Sequence, residues 1–261
     1  MLKIYQSFHN RFLRNEKCDW IVPIAVGGYK DPSMLSDAEN DHISQLNPFY
    51  CELTAVYWVW KNTSEDDVGF IHYRRYFDFL NKDRPFLSKM SYFYKKKHEK
   101  LLQNIANIKI RYNNSSLNYL TQKQQHLAAI EALQNFEVLI PSKQLLPPSM
   151  HEQYLDRMEA HPWNVFLDQI DVNHKGKLNP QLFFSNENMA PICNMFLMRR
   201  TQFNRYCEDL FPVLDRVFKK IGTPYDQYNN RYPGFLAERY LWYWINVQQI
   251  RYAEAPLVFL V

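Results

Sequence analysis

Cysteine is scarce in this sequence. The four present, Cys18, Cys51, Cys193 and Cys207, are widely spaced and form no C-x-x-C pair. That spacing argues against a zinc ribbon or a disulfide scaffold and suits a reducing cytoplasm. Long apolar runs are missing too. No stretch approaches the about 20 apolar residues of a membrane span, and the opening MLKIYQSFHNRF lacks the apolar run of a signal peptide. A cytoplasmic protein is therefore expected. Absence of G-x-x-x-x-G-K-[ST], G-x-G-x-x-G and G-x-S-x-G removes the P-loop, Rossmann and hydrolase-elbow fingerprints. A strict D-x-D, the usual metal–diphosphate clamp of sugar-nucleotide enzymes, is also missing; Asp37-Ala38-Glu39 and Glu39-Asn40-Asp41 come nearest. His151, His161 and His174 lack metal-ligand spacing.

What is present describes one globular domain, 1–261, in which 46% hydrophobic and 22% charged residues allow a core without staples. The 16% aromatic content suits cores, sugar-stacking platforms and membrane belts alike. Charge is unevenly placed. Residues 81–126 hold ten Lys or Arg against Asp83 and Glu99, a local +8 within a net +4, which leaves −4 elsewhere. This is a near-neutral domain with a basic insertion, not a nucleic-acid-binding surface throughout. Within it, residues 86–102 set Lys95-Lys96-Lys97 beside Phe93 and Tyr94. The pattern fits peripheral docking on an anionic inner leaflet, where each Lys contributes about 1 kcal/mol, and fits a solvated helix face equally well.

Residues 2–7 and 21–26 read as short buried strands, the second ended by Gly27-Gly28. After a polar loop over 31–45, Asn47 is placed to cap a helix with Pro48 at its first position and Phe49, Leu53, Val56 and Trp60 on one stripe. A strand over 68–73 runs into Arg74-Arg75-Tyr76-Phe77. A helix is expected over 122–135, a strand over 136–140, and loop with short helix over 145–180. A buried strand over 194–198 precedes a helix capped by Thr201. Its Phe203, Cys207, Leu210, Leu214, Val217 and Ile221 face inward, Pro212 predicts a kink or break, and Gly222 the stop. A helix over 235–249 and a strand over 257–260 finish the chain. Alternation of this kind predicts an α/β sheet covered on both faces, with ligands beyond the carboxyl ends of its strands.

Four segments carry candidate chemistry. Asp41, His42 and Ser44, in the loop that opens the first helix, offer partners for a ribose or a uracil N–H, or simply turn and capping groups. His72, Arg74 and Arg75 end an apolar strand, where guanidinium forks match diphosphate oxygens or form structural ion pairs. Strand alternation puts His72 with Arg74 and Tyr73 with Arg75, so both arginines meet one ligand only if the strand has already ended. Asn194, heading an apolar strand, must pair with backbone groups or a sugar hydroxyl. Glu238, near a helix start where the dipole favours ionisation, can take a proton from an acceptor hydroxyl or merely cap and pair.

These segments come in a telling order: Asn47-Pro48-x-Tyr50-Cys51-Glu52-Leu53-Thr54-Ala55-x-Tyr57-Trp58-x-Trp60-Lys61-Asn62, His72-Tyr73-Arg74-Arg75-Tyr76-Phe77, Asn194-Met195-Phe196 and Gly234-Phe235-x-x-Glu238-Arg239. Over nearly the whole chain the pattern resembles a bacterial glycosyltransferase family first catalogued as a domain of unknown function and found in capsule and O-antigen gene clusters. The resemblance implies a GT-A-like mixed sheet flanked by helices, carrying the basic helical insertion. It also implies a UDP-linked sugar donor, UDP-galactofuranose in some relatives, and inverting transfer to a saccharide or lipid-linked saccharide of a capsule or lipopolysaccharide. Glu238 is then the expected base, and Asp41, His42, Ser44, His72, Arg74, Arg75 and Asn194 the nucleotide-sugar-binding set. Two departures stand out. The loop that commonly reads Gly-Asp-Asn-Ile-Ser is here Asn40-Asp41-His42-Ile43-Ser44, and the basic segment is longer than usual. Metal dependence stays open, with Asp41 as the position for Mn²⁺ or Mg²⁺. The rival readings are a non-catalytic nucleic-acid or nucleotide-binding module and an idle transferase-like partner subunit.

Overall fold

A computed structural model of the chain describes residues 1–81 and 107–261. The segment 86–102, and with it most of the basic insertion, lies outside the described residues. The strands are β1 Leu2–Phe8, β2 Ile21–Ala25, β3 Leu35–Ser36, β4 Asp67–His72, β5 Arg75–Phe77, β6 Asn107–Ile110, β7 Val138–Pro141, β8 Gln144–Leu145, β9 Met189–Ala190, β10 Phe196–Arg199, β11 Tyr252–Ala255 and β12 Leu257–Leu260. Ten of them form one mixed sheet with the path β11-β7-β10-β4-β1-β2-β3, and β5, β6 and β12 join off this path. β4, β1, β2 and β3 run parallel, whereas β10 is antiparallel to both β4 and β7.

Both faces of the sheet are covered, as apolar strands demand. One side packs on helices Leu53–Asn62, Ala160–His174, Arg200–Ile221 and Tyr232–Val247, the other on helices Asn114–Thr121 and Lys123–Asn135. At the centre Gly69 of β4 lies opposite Ile4 of β1 and Leu197 of β10. A Cβ at Gly69 would stand 2.9 Å from side-chain carbons of both, so only glycine lets the three strands close at this point.

Several elements differ from the sequence reading. Residues 145–180 are largely helical: Trp163, Phe166, Leu167, Ile170 and His174 form the buried stripe of the 15-residue helix Ala160–His174. The helix Arg200–Ile221 has no side-chain cap at Thr201 and runs unbroken through Pro212. Pro212 lies on the exposed face, so the Glu208 carbonyl it leaves unpaired meets water. Its inward residues are those expected, with Gly222 ending it at φ 70°. The last helix begins at Tyr232, with Pro233 in its first turn, rather than at 235.

Candidate functional site

β1, β2 and β4 are adjacent and parallel, so His9, Val26 and Tyr73, the residues that follow them, emerge on one edge. They border a cavity of about 660 Å³. The helix Tyr232–Val247 closes the other side, presenting Gly234, Phe235 and Glu238 at i, i+1 and i+4, with Arg231 one turn before Gly234. His72, Arg74, Arg75 and Glu52 complete the charged part of the wall.

The arginines meet because the strand ends early. β4 stops at His72, Tyr73 and Arg74 form a two-residue turn, and Arg75 opens β5 directly opposite His72. Cross-strand partners share a face, so Arg75 lies with His72, which corrects the pairing of His72 with Arg74 drawn from continuous alternation. An Arg75 Nη1 donates to His72 Nδ1 at 3.3 Å, which leaves the imidazole proton on Nε2. That nitrogen is 3.8 Å from Glu52 Oε1 and has no hydrogen-bond partner among the described residues.

Glu52 is placed by a break in the helix that the sequence reading drew as continuous. Helix Asn47–Tyr50 ends at Cys51, whose φ of 54° and ψ of −133° leave the helical region, and a second helix, Leu53–Asn62, starts with Glu52 at its N-cap position. Asn47 does not cap. Its Nδ2 donates to the Cys51 carbonyl at 2.8 Å and to Thr54 Oγ1 at 3.0 Å, which ties the two helices across the break. The Thr54 hydroxyl donates in turn to buried Asp37. Gly27, at φ 66°, lies under Asn47; a Cβ there would be 2.6 Å from Asn47 Oδ1.

Asn194, on the approach to β10, donates to Glu52 Oε1 at 2.7 Å and to the Gly234 carbonyl at 3.1 Å, joining strand edge, broken helix and last helix. Its Oδ1 is buried without a partner among the described residues. Glu238 Oε2 accepts from Arg239 Nη1 at 2.9 Å, and Arg239 also donates to the Phe235 carbonyl and to Gln153.

Burial pushes His72 down to about 4; Glu52 pulls it upward and Arg75 pushes it further down. At neutral pH the ring is neutral and supplies no cation for a phosphate. For Glu52 burial acts upward, but His72, the Asn194 amide and Arg75 outweigh it and hold the carboxyl below its ordinary range. With His72 neutral, the Asn194 amide and the Arg75 charge are the groups that favour the anionic form of Glu52. Glu238 moves the opposite way. Burial raises it, Arg239 opposes and Glu52 adds to the rise. It sits nearly two turns inside its helix, so the dipole argument made for it from sequence belongs to Glu52 instead. Burial pushes the Cys51 thiol up to about 12, which keeps it neutral beside Arg231 Nε at 3.1 Å from its Sγ.

Of the residues singled out in the sequence, His72, Arg74, Arg75 and Glu238 line the cavity and Asn194 holds a carboxylate that lines it. Asp41, His42 and Ser44 do not line it. Asp41 accepts from the Tyr57 hydroxyl at 3.2 Å, and Ser44 pairs with His42 Nδ1 at 3.0 Å. Glu52 and Arg231 were missed as site residues. The signal for Glu52 was an acid immediately before an apolar helical run; for Arg231, a cation three and seven residues before Gly234 and Glu238. Among the described residues no three His, Cys, Asp or Glu side chains are grouped to hold a metal ion. A larger hollow of about 1000 Å³, between residues 11–17, 29–34 and 114–118, contains neither buried carboxylate.

Residues 3–249 match the family described as a domain of unknown function, DUF4422. No curated protein matches the chain. Among solved structures, the apo form of WbbM, a bifunctional glycosyltransferase, superposes with a TM-score of 0.79 at 26% identity. The superposition covers 99% of this chain and 45% of that one, so the chain spans less than half of that protein's length. The mixed sheet flanked by helices is GT-A-like, as expected.

Proposed function

The chain belongs to the DUF4422 family, and we propose that it is a glycosyltransferase that moves a sugar from a UDP-linked donor, with UDP-galactofuranose the first to test, to a growing capsule or O-antigen polysaccharide with inversion. The observation that carries this reading is the meeting of cationic groups and a buried carboxylate in one strand-tip cavity. Arg74, Arg75 and Arg231 supply cationic groups, while Glu238, raised by burial, stands as a carboxylate on the helix opposite the strand tips. Ligands of parallel sheets bind at such an edge.

The chemistry follows from the charges. An acceptor hydroxyl oxygen attacks the anomeric carbon while its proton passes to the Glu238 carboxylate. The bond from that carbon to the diphosphate breaks, and its electron pair leaves with the nucleoside diphosphate. Guanidinium groups fixed beside the departing oxygens lower the barrier because the charge grows where they already point. A base with a pKa above the ordinary carboxylate range is better matched to a hydroxyl proton. The partners are thus a nucleotide sugar and a saccharide or lipid-linked saccharide. Both the likeness to WbbM, a bifunctional glycosyltransferase, and the residues of the cleft support the reading.

Released UDP, measured on the purified chain with a panel of UDP-sugars and with or without Mn²⁺, tests it. Turnover or slow hydrolysis of at least one donor is expected, which also separates an enzyme from an idle subunit. No release and no thermal stabilisation by any nucleotide sugar would refute the proposal.

A further inference from the structure

We propose that Glu52 receives the hydroxyls of the transferred sugar, and that the Glu52–Glu238 pair restricts the donor to sugars that carry no carboxylate. The inference rests on reading the cleft as a nucleotide-sugar site and deepens that reading.

Glu52 is built in rather than incidental. Its side chain is only one-fifth exposed, and that exposed part belongs to the cavity wall. Asn194 fixes Oε1 at 2.7 Å, and the His72 ring, itself held by Arg75, stands behind it. Among the described residues no other side chain donates to Glu52, although an ionised carboxylate offers about four lone-pair sites. A group that only accepts, aimed into a cavity and short of donors, matches ligand O–H groups. Sugar hydroxyls are donors of that kind, whereas diphosphate oxygens are acceptors and would be repelled.

The same charges constrain the ligand. Arg74, Arg75 and Arg231 attract the diphosphate, which leaves Glu52 and Glu238 for the donor groups of the hexose; Glu52 is close enough to raise the pKa of Glu238. A sugar bearing its own carboxylate would bring a third negative charge to a partly desolvated wall, where like charges repel far more than in water. Neutral hexoses meet no such cost.

Isothermal titration of the purified chain with UDP, UDP-galactose, UDP-glucose, UDP-galactofuranose and UDP-glucuronate decides the matter. Wild type is expected to hold at least one neutral donor more tightly than UDP, and UDP-glucuronate no more tightly than UDP. In Glu52→Gln, UDP binding is retained or tightens, because a charge that repels the diphosphate is gone, and an unshifted thermal melt reports an intact fold. The neutral donor weakens on the order of 10-fold or more, because a charge-assisted hydrogen bond is lost. Discrimination against UDP-glucuronate narrows. Should Glu52→Gln fail to fold, Glu52→Asp keeps the charge and is expected to weaken the neutral donor while still refusing the glucuronate. Unchanged affinity for the neutral donor in the folded variant overturns the proposal, as does a wild type that holds UDP-glucuronate as tightly as the hexose donors. A wild type that takes up neither UDP nor any UDP-sugar brings down the nucleotide-sugar reading itself, and this one with it.

Discussion

His72 makes acid stability a direct test of the charge state assigned to the cleft. Its pKa is about 4 in the fold against 6.5 for a free imidazole. Above pH 6.5 the ring is neutral in both folded and unfolded chains. Between 6.5 and about 4 the unfolded chain binds a proton that the fold refuses, so stability falls as acid is added; below about 4 the loss is complete. At about 1.4 kcal/mol per pH unit, the gap from 6.5 to about 4 amounts to about 3 kcal/mol. That is a large part of a typical stability of roughly 5–15 kcal/mol. His72→Gln removes the titration and keeps a polar side chain. Urea unfolding at pH 7 and pH 4.5 should show the wild type losing stability faster than the variant, by somewhat less than the full value. With a slope near 3 kcal/mol per molar urea, the difference approaches about 1 M in midpoint. Other buried groups, including His9, His126 and His174, are also shifted down, but they act equally in both proteins. Parallel curves for wild type and variant would refute the argument and return His72 to the list of available cations.

Arg75→Ala should lower kcat/KM of the proposed transfer by on the order of 10²–10³, the usual cost of a missing transition-state donor. Its effect on folding should be only about 1–2 kcal/mol, from the lost bond to His72 and the contact with the Phe259 ring, so intact turnover in a folded variant refutes the assignment. Glu238→Gln should reduce kcat by on the order of 10²–10⁴. Because the wild-type base works ionised with a raised pKa, its rate should climb with pH through a limb above the ordinary carboxylate value, and that limb should vanish in the variant. Gly69→Ala should destabilise by about 1–3 kcal/mol through overpacking against Ile4 and Leu197, a thermal shift of roughly 2–4 °C per kcal/mol; an unshifted melt would show that the strands yield freely.

Much of this architecture could be read from residues alone. The apolar runs at β1, β2 and β4 and the inward stripe of the helix Arg200–Ile221 follow simple periodicity, and a polar Asn194 heading an apolar strand marked itself as a residue in need of partners. What escaped has physical causes. Tyr73-Arg74 makes a reversal without the glycine, proline or asparagine that signals a turn, so Arg75 could not be seen returning beside His72. Pro, His and Asp recur through residues 145–180 and masked the stripe running from Trp163 to His174. The sequence reading starts the last helix at 235, yet Pro233 and Gly234 occupy its first turn, which moves Glu238 inward from the terminus.

The break at Cys51 was the least legible feature and the one most closely tied to the cleft. A non-glycine residue at φ 54° and ψ −133° costs on the order of 1–3 kcal/mol and persists only where its surroundings over-determine it. Here they do. Asn47 holds the Cys51 carbonyl, Gly27 leaves room for Asn47, and Arg231 meets the sulfur. Gly234 also lets the last helix approach: a Cβ there would stand 3.3 Å from Cys51 Sγ. Apart from Gly27 and Thr54, every residue enforcing the strained turn also lines the cavity. A continuous helix through residues 47–62 would satisfy the same apolar stripe without strain, but Glu52 would then be an interior helical residue rather than the one that starts the second helix. The sequence sustains the costlier backbone, and what that backbone delivers is a carboxylate at a helix start, facing the place where a sugar would lie.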